Sequence, residues 1–488
     1  MKGKVYLVGA GCGSYDMITL RGMKILGQAD AVLYDALIDY RLLDFVPEYA
    51  EKIPVGKRCG NHSENQENIN NILIEKAKQY KKVVRLKGGD SLVFGRGGEE
   101  ALALENAEIP YEIIPGISSC IAAPEMAGIP VTHRGISGGF HVITAHSADY
   151  WRSLEIYARL KETLVILMGV NNLDNIMKDL ANAFMPIDTP AAVISNGGTP
   201  FQKTVRGCIF NIAELAEKEK ISAPAVIVVG KTAKFNFTSD YESRPLSGVS
   251  VSVTGTNRFY GRISALLGKN GADVRHCCKM ETVVKEFTLP DFSEYKWIVF
   301  TSANGVEIFF DKMRAEKRDV RSIPEKAAVI GEGTGAALER HGIYPFAMPE
   351  KFTSRELGKI ISENALPDER VIIFRAEQGS SDLTDVLNAA GIACDDIKIY
   401  DLRSSGEPYK IETDYLIFAS GSGVRSFFGN GWTVSKNTGI ICIGEVTAGV
   451  LEEYNVKNYR TASVSTADGI LRTVMEEQNV KVQKIKEQ

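Results

Sequence analysis

The chain has 488 residues, a formal net charge of −4 and 44% hydrophobic residues. This length suits roughly two to four domains, and the charge argues against a nucleic-acid-binding protein whose affinity comes from a basic face. No apolar run approaches the ~20 residues that span a bilayer, and the first residues enter a strand and a glycine loop instead of a secretory signal peptide. We therefore expect a cytoplasmic protein with no nucleic-acid partner and no membrane partner.

Strand and helix patterns alternate from the N-terminus to about residue 239, beginning with KVYLVGAG, DMITLRGMKILGQA and DAVLYDAL. Such alternation predicts an α/β fold with parallel sheets covered by helices. A glycine cluster from Gly9 to Gly13 follows the first strand, which places it at the strand's carboxyl end, where open α/β sheets bind ligands. It is not the dinucleotide-binding fingerprint, because Ser14 occupies the position of the third glycine.

The next charged segment, VGKRCGNHSENQENIN, places four polar side chains before and at the start of an amphipathic helix: Lys57, Arg58, His62 and Gln66. These side chains can hydrogen-bond to a ligand at the loop. The alternative is a solvated charged loop, which is the commoner role of Lys and Arg taken alone.

The stretch VVRLKGGDSLVFGRGGEE, residues 83–100, is typical of a strand, a glycine-rich loop and a helix. Glycines at a strand's carboxyl end allow positive φ and let a ligand lie against main-chain groups. Asp90 can accept hydrogen bonds from ligand hydroxyls, and Arg96 can hold a carboxylate bidentately. The alternative for this loop is a glycine-rich turn with a salt-bridged Arg96.

Later apolar runs also end in small or polar residues, as in IPGISSC, ITAHSAD, TLVILMGV, AAVISNGGTP and PAVIVVGKT. Several strand ends would then converge on one cleft. This recurrence favours a ligand site over accidental turns.

Eight cysteines, none in a CxxC spacing, are typical of reduced thiols in a cytoplasmic protein. The run His276, Cys277, Cys278 contains residue types that bind metals, but no second Cys/His pair lies nearby. Ordinary packing is the favoured interpretation, and we predict no metal site.

Together, the segments of the first half resemble the S-adenosylmethionine-dependent tetrapyrrole methyltransferases, and within them the uroporphyrinogen-III C-methyltransferase family. The matching motifs follow the family's order: VGAG, ADAVLYDAL, VGKRCGNHSENQENIN, VVRLKGGDSLVFGRGGEE, PGISSCIAAPEMAGIPVTHRG, ITAH, LMG, NGGTPFQ and PAVIVVG. The resemblance implies a two-lobed α/β domain over residues 1–243 that forms a homodimer. It also implies S-adenosyl-L-methionine as cofactor, bound between the lobes, and S-adenosyl-L-homocysteine as its product.

The same resemblance implies roles for individual residues. Asp35 matches the family's proposed base, and Lys57 matches its proposed proton donor. Cofactor contacts are implied for Cys12, Gly88, Gly89, Asp90, Val93, Ser118, Ser119, Met168 and Gly197. Contacts to substrate carboxylates or pyrrole nitrogens are implied for Arg96, Glu99, Arg134 and His146.

Three departures from the family pattern are present. Cys12, Ser14 and Tyr15 stand where relatives usually have Pro, Asp and Pro. We expect a less rigid loop there, because the fixed φ of proline is lost. Ser91 replaces another usual proline, and Ala36 replaces an arginine, so one substrate contact is either missing or supplied from elsewhere.

A link at YESRPLSG, residues 241–248, precedes a new strand, loop and helix pattern, which predicts a second domain over residues 248–478. Inside it, WIVFTSANGVEIFF is similar to LIFASGSGVRSFF, and VIGEGTGAALERHGI is similar to CIGEVTAGVLEEYNV. The repeat predicts two α/β lobes of related design. Each would present Ser, Thr and Gly at strand ends, where backbone N–H groups and helix N-termini form anion sites.

This second half resembles the uroporphyrinogen-III synthase family through motifs that are weak singly but correctly ordered: VTGTNR, FTSANGV, VIGEGT, FRAEQG, IKIYDL, ASGSGV, IGEVTA and STADGI. The resemblance implies lobe one at 248–283 plus 402–475 and lobe two at 284–401, hinged around a cleft by two crossing strands. Tyr400 matches the family's cleft tyrosine, and Thr334 and Thr447 match its cleft threonines. The alternative for Tyr400 is a half-buried strand aromatic with a packing role.

The two resemblances predict a bifunctional enzyme that acts on small-molecule tetrapyrroles. The second half would cyclise hydroxymethylbilane to uroporphyrinogen III, and the first half would methylate that product at C2 and C7 to give precorrin-2 for sirohaem or cobalamin. Two alternatives stay open. One is a different tetrapyrrole methyltransferase specificity, and the other is a second half reduced to substrate binding.

Overall fold

The computed structural model describes residues 3–56, 65–145, 150–237, 243–406 and 408–486. It divides into two compact units: unit one is Met1–Val249 with Lys269–Asp273, and unit two is Ser250–Gly268 with Val274–Gln488. Both units are mixed α/β, which confirms the predicted fold class. Within these described ranges, no helix combines the length and the apolar character needed to cross a membrane.

The first lobe of unit one is a parallel five-stranded sheet covered by helices. Its strands are β1 (Lys4–Gly9), β2 (Ala31–Tyr34), β3 (Glu51–Pro54), β4 (Lys82–Lys87) and β5 (Tyr111–Ile114), in the order β3-β2-β4-β1-β5. Its helices are α1 (Leu20–Leu26), α2 (Gln66–Gln79) and α3 (Gly97–Asn106). Successive residues Leu7 and Val8 of β1 belong to separate apolar clusters, because alternate side chains of a strand point to opposite faces. Both faces of the sheet are therefore buried.

The second lobe follows helix α4 (Ser119–Met126) and contains a mixed sheet. Its strands are β6 (Phe140–Thr144), β7 (Thr163–Leu167), β8 (Pro190–Ser195), β9 (Lys203–Cys208) and β10 (Ala225–Val229), in the order β6-β7-β10-β8-β9. Its helices are α5 (Tyr150–Arg159), α6 (Leu173–Asn182) and α7 (Ile212–Lys218). Of the four strand pairs described in this sheet, β6–β7 is parallel and the other three are antiparallel. The expectation of parallel sheets is wrong for this lobe, since the short connection at residues 196–202 joins β8 to β9 as an antiparallel hairpin.

Unit two is organised around a nine-stranded sheet. The eleven strands described in unit two, nine of them in this sheet, are β11 (Ser250–Thr256), β12 (Asp273–Val284), β13 (Trp297–Phe300), β14 (Lys326–Val329), β15 (Val371–Ala376), β16 (Cys394–Ser405), β17 (Lys410–Ile411), β18 (Tyr415–Phe418), β19 (Thr433–Val434), β20 (Gly439–Cys442) and β21 (Arg460–Thr461). The sheet order is β14-β13-β15-β16-β12-β11-β18-β20-β21, and β17 pairs separately with β19. The helices are α8 (Asn257–Lys269), α9 (Ala303–Ala315), α10 (Glu332–Glu339), α11 (Ser354–Asn364), α12 (Asp382–Ala389), α13 (Gly421–Gly429), α14 (Glu445–Glu453) and α15 (Ala467–Lys486).

Two long strands join the halves of this sheet. β12 and β16 have 12 residues each and pair antiparallel from Lys279–Val284 to Tyr400–Ser405. Phe300 and Phe374 belong to the apolar cluster on one side of this crossing, and Phe418 and Phe427 belong to a second cluster on the other. The two halves therefore have separate cores connected through β12 and β16.

Candidate active sites

Three glycine-containing loops meet at the carboxyl ends of β1, β4 and β5. Gly11 and Gly89 exchange backbone hydrogen bonds of 3.1 and 2.8 Å, and both have positive φ. A Cβ on Gly9 would lie 2.6 Å from the Cα of Gly116, and a Cβ on Gly116 would lie 2.2 Å from the carbonyl oxygen of Gly89. The loops pack backbone against backbone, so only glycine fits at these positions. We call this arrangement the glycine cradle.

The carboxylate of Asp90 connects two of these loops. Its Oδ1 accepts from the backbone N–H of Leu92 at 2.8 Å, and its Oδ2 accepts from the backbone N–H of Gly116 at 2.8 Å. A carboxylate can accept about four hydrogen bonds, so each oxygen of Asp90 keeps acceptor capacity. Its contact to a cofactor stays a prediction.

The loop after β8 approaches the cradle from the second lobe. The Sγ of Cys12 donates to the carbonyl oxygen of Gly197 at 3.5 Å, and a Cβ on Gly13 would lie 2.5 Å from that same oxygen. Burial is the main cause that raises the pKa of the Cys12 thiol to about 11, so the thiol is neutral at physiological pH. Strand ends from both lobes therefore meet at Cys12.

The remaining predicted cofactor residues are Gly88, Val93, Ser118, Ser119 and Met168, and their contacts to a cofactor stay predictions. A Cβ on Gly89 would contact Ser118 and Ser119 at 3.8 Å, at the start of α4. Met168, directly after β7, has a φ of 56° and an exposed side chain. Val93 is also exposed. A Cβ on Gly88 would lie 3.4 Å from the Cβ of Leu37.

The predicted substrate residues differ in what surrounds them. Arg96 pairs bidentately with Glu99 at 2.8 and 2.7 Å, and both side chains are half exposed. This hydrogen bond raises the pKa of Arg96 and lowers that of Glu99. Arg134 is exposed and makes no ion pair with any residue that the structure describes. Lys57 and His146 lie outside the described residues.

Asp35, directly after β2, belongs to a network of four charged side chains. Its Oδ1 accepts from Arg85 Nη2 at 2.5 Å. The Nε of Arg85 donates to Glu100 Oε1 at 3.0 Å, and Lys87 Nζ donates to the same oxygen at 2.8 Å. Asp35 is 28% exposed, whereas the other three side chains are at most 4% exposed. The two positive and two negative charges balance, as burial requires.

Sequence reasoning missed the three buried members of this network. The available signal was an apolar strand, VVRLK, interrupted at alternate positions by Arg85 and Lys87, which therefore share one face. Glu100 on α3 is 0% exposed and covers that face. Burial, followed by the nearby charge of Arg85, lowers the pKa of Lys87.

In unit two, Tyr400 on β16 lies in the apolar core rather than on a half-buried face. Its side chain belongs to the cluster around Phe300 and is 3% exposed. Its hydroxyl hydrogen-bonds to Ser302 Oγ at 2.7 Å, and Ser302 caps α9 by accepting from the backbone N–H of Gly305 at 3.0 Å. Burial raises the pKa of the Tyr400 phenol.

The two predicted cleft threonines occupy equivalent positions in the two halves of unit two. Thr334 in the first turn of α10 and Thr447 in the first turn of α14 are both buried. The backbone N–H of Thr334 donates to the carbonyl oxygen of Gly331 at 3.0 Å, and that of Thr447 donates to the carbonyl oxygen of Gly444 at 3.0 Å. Each glycine directly precedes its helix. The sequence repeat therefore corresponds to a repeated strand, glycine and helix arrangement.

Among the described residues, no group of three or more His, Cys, Asp or Glu side chains is placed to hold a metal ion. Cys277 and Cys278 are both buried. Burial raises the pKa of Cys278 to about 11 and also raises that of Cys277, so both thiols stay protonated.

Comparison with known families accounts for both units. Residues 4–213 match the family model described as Tetrapyrrole (Corrin/Porphyrin) Methylases, and residues 261–472 match the model described as Uroporphyrinogen-III synthase HemD. A relative from Ruminiclostridium josui, named porphyrin biosynthesis protein HemD, is 35% identical over 97% of this chain and 98% of its own length. The chain therefore belongs to the porphyrin biosynthesis enzymes in which a tetrapyrrole methylase is followed by a uroporphyrinogen-III synthase.

Two further relatives match the N-terminal half. A uroporphyrinogen-III C-methyltransferase from Methanocaldococcus jannaschii is 51% identical over 47% of this chain and 97% of its own length. An S-adenosyl-L-methionine-dependent uroporphyrinogen III methyltransferase from Methanosarcina barkeri is 46% identical over 47% of this chain and 91% of its own length. The family resemblance inferred from the motifs, and the prediction that both halves are enzymes, are confirmed.

Proposed function

We propose that this chain performs two successive reactions of tetrapyrrole biosynthesis. Unit two closes hydroxymethylbilane to uroporphyrinogen III, and unit one methylates that product at C2 and C7 to give precorrin-2. The fusion itself carries the proposal. The family matched by residues 261–472 is named for making uroporphyrinogen III, and the methyltransferase relatives are named for methylating it.

The glycine cradle supports S-adenosyl-L-methionine as the cofactor of unit one. Because Gly9 and Gly116 present no side chains, the three loops pack backbone against backbone and gather their main-chain groups at the carboxyl ends of the strands, where open α/β sheets bind ligands. The bound cofactor supplies an electrophilic methyl group. Asp90 would hold its hydroxyls, and the raised pKa of Cys12 disfavours a thiolate that would compete as a nucleophile.

Asp35 is our proposed base for unit one. Alkylation of a pyrrole carbon requires loss of a proton from the macrocycle, and a positioned carboxylate can accept it. Arg85 fixes the orientation of that carboxylate through Oδ1. Alignment of reacting groups can supply ~7 to 11 kcal/mol of a barrier. Lys57 is the proposed proton donor, and Arg96, Glu99, Arg134 and His146 are proposed to hold the substrate.

For unit two we propose positioning of a folded linear tetrapyrrole as the main catalytic effect. The terminal hydroxyl leaves as water together with a proton from a pyrrole carbon, the last ring is inverted as its bond to the chain breaks and re-forms at its other α-carbon, and a new carbon–carbon bond closes the macrocycle. Tyr400 stays protonated because burial raises its pKa, so its hydroxyl can donate a hydrogen bond near neutral pH. Thr334 and Thr447 would bind the substrate from the two halves of the unit.

We further propose that unit one forms a homodimer, that neither reaction uses a metal, and that the enzyme works in the cytoplasm. These proposals extend the family resemblance and the pattern of reduced cysteines. Sedimentation of the full chain, metal analysis and localisation of a tagged copy would test them.

Feeding the purified chain with hydroxymethylbilane, with and without S-adenosyl-L-methionine, tests the function. Chromatography and mass spectrometry should detect uroporphyrinogen III without the methyl donor and a dimethylated product with it. Carbon-13 labelling of the donor methyl group then gives the positions of both methyl groups by NMR. Formation of uroporphyrinogen I alone would refute the synthase activity, and methyl groups elsewhere than C2 and C7 would refute the proposed methylation pattern.

A further inference from the structure

The carboxylate of Asp39 joins the loop after β1 to the segment after β2. Its Oδ2 accepts from the backbone N–H of Tyr15 at 2.9 Å. Arg41 donates to the same carboxylate through its backbone N–H, Nε and Nη2, at 2.5 to 3.0 Å. The guanidinium carbon of Arg41 lies 4.7 Å from the centroid of the Tyr15 ring. We call Tyr15, Asp39 and Arg41 the loop clamp.

The loop that the clamp holds contains Cys12, and within it the backbone N–H groups of Ser14 and Met17 donate to the carbonyl oxygens of Cys12 and Ser14 at 3.1 and 3.0 Å. Residues Tyr15–Met17 form one turn of 3₁₀ helix, and the side chain of the preceding Ser14 makes no capping hydrogen bond. The first N–H groups of such a turn need acceptors from outside it. Asp39 supplies one from a separate segment. This bond requires an N–H that proline lacks, so Tyr15 makes it possible. The lower rigidity expected of this loop stays a prediction.

An equivalent Asp-x-Arg pair in unit two shows what the local motif does alone. Asp319 accepts from the backbone N–H, Nε and Nη2 of Arg321 at 2.6 to 3.1 Å. The side chains of Asp319 and Arg321 are 50% and 87% exposed, whereas those of Asp39 and Arg41 are 11% and 17% exposed. The Asp-x-Arg motif therefore does not by itself bury its side chains. Asp39 and Arg41 are largely buried where the Tyr15 loop packs against them.

We propose that Asp39 is a positioning residue for cofactor binding: it holds the Cys12 loop against the segment that begins at Asp35, so that the glycine cradle is formed before the cofactor arrives. The inference rests on the proposed binding of S-adenosyl-L-methionine in that cradle. An ordered loop binds more tightly because less conformational entropy is lost on binding.

Calorimetric titration of the full chain with S-adenosyl-L-homocysteine tests the proposal. Asp39→Ala removes a charged acceptor and should weaken binding roughly tenfold or more. In methylation assays the KM for S-adenosyl-L-methionine should rise by a similar factor while the KM for the tetrapyrrole stays unchanged. The matched control is Asp319→Ala, which removes the exposed pair and should leave both constants at wild-type values.

A rescue variant separates positioning from general destabilisation. Ser14 has the extended backbone, with ψ of 150°, that the residue before a proline prefers. Tyr15 is the first residue of a helical turn, which is a favourable position for proline. Tyr15→Pro removes the N–H that Asp39 satisfies and fixes φ. In the Asp39→Ala background it should therefore restore affinity to within about threefold of wild type.

Several results would overturn the proposal. Wild-type affinity in Asp39→Ala, or no recovery in the double variant, would show that the clamp does not position the loop. If Asp39→Ala fails to fold, Asp39→Asn keeps one neutral acceptor oxygen and should show a smaller loss of affinity; wild-type affinity there would also refute the role. Wild-type protein that fails to bind S-adenosyl-L-homocysteine would refute the proposed cofactor together with the clamp.

Discussion

Replacing Glu100 by glutamine tests whether the buried charges beside Asp35 act as one network. The substitution removes one negative charge and leaves Arg85 and Lys87, both buried, with only Asp35 to balance them. Removing one partner from a buried ion pair costs about 3 to 5 kcal/mol, because an uncompensated charge stays in the interior. For a unit of this size, that corresponds to a fall of roughly 6 to 20 °C in the unfolding temperature.

The adjacent residue provides a matched control. Glu99 pairs with Arg96 at the surface, with both side chains half exposed, and such pairs contribute at most about 1 kcal/mol. Scanning calorimetry of Glu99→Gln should therefore show a shift of at most roughly 4 °C. The transition of unit one can be assigned as the one that S-adenosyl-L-homocysteine moves upward, since a ligand stabilises the state that it binds.

A double variant checks the electrostatic origin of the effect. Lys87→Met combined with Glu100→Gln removes one charge of each sign and leaves the Asp35 and Arg85 pair balanced. It should unfold at a higher temperature than the sum of the single losses predicts. Equal stability of Glu99→Gln and Glu100→Gln, or strict additivity in the double variant, would refute the network.

Three further predictions concern the proposed chemistry and pH dependence. Asp35→Asn should lower methyl transfer by about 10²- to 10⁴-fold and leave S-adenosyl-L-homocysteine binding intact by calorimetry; unchanged turnover would remove Asp35 as the base. Tyr400→Phe loses the hydrogen bond to Ser302 and should slow formation of the III isomer, whereas full-rate formation would exclude the hydroxyl from the mechanism. Burial tends to raise the pKa of Glu307, but hydrogen bonds, including one from Arg340, lower it below the ordinary 4.5. The contribution of Glu307 to the free energy of unfolding is therefore present above pH ~4.5 and is lost as the pH falls through the lowered pKa. In unfolding experiments at different pH values, Glu307→Gln should lose less stability on acidification than the wild type does. An unchanged dependence of stability on pH would contradict the lowered pKa of Glu307.

The α/β fold class could be predicted from local sequence signals. Alternating apolar strands and helices indicate α/β folding because each pattern sets its own periodicity. Glycine runs after strands indicate ligand loops for the same local reason, since positive φ and close backbone approach are properties of single positions. This is why the cradle residues Gly11, Gly89 and Gly116 lie in segments that the sequence had already singled out.

Partnerships between distant side chains could not be predicted in this way. Asp35 reaches Arg85 because β2 lies beside β4 in the sheet, with Leu33 opposite Arg85, although β3 and α2 separate them along the chain. The same holds for Tyr15 and Asp39, which meet only when the loops after β1 and β2 fold over one another. At Arg96 the sequence left a carboxylate-binding and a salt-bridged role open, and the guanidinium pairs with Glu99.

The sequence by itself determined the fold class, the glycine loops and the two families, because these depend on residue type and spacing along the chain. Tertiary structure alone decided which charge neutralises Asp35 and which acceptor binds the Tyr15 N–H. It also decided that β8 and β9, in the second lobe of unit one, pair antiparallel. The physical reason is that ion pairs and hydrogen bonds act over a few ångströms of space, and only strand order and register bring such distant residues within that range.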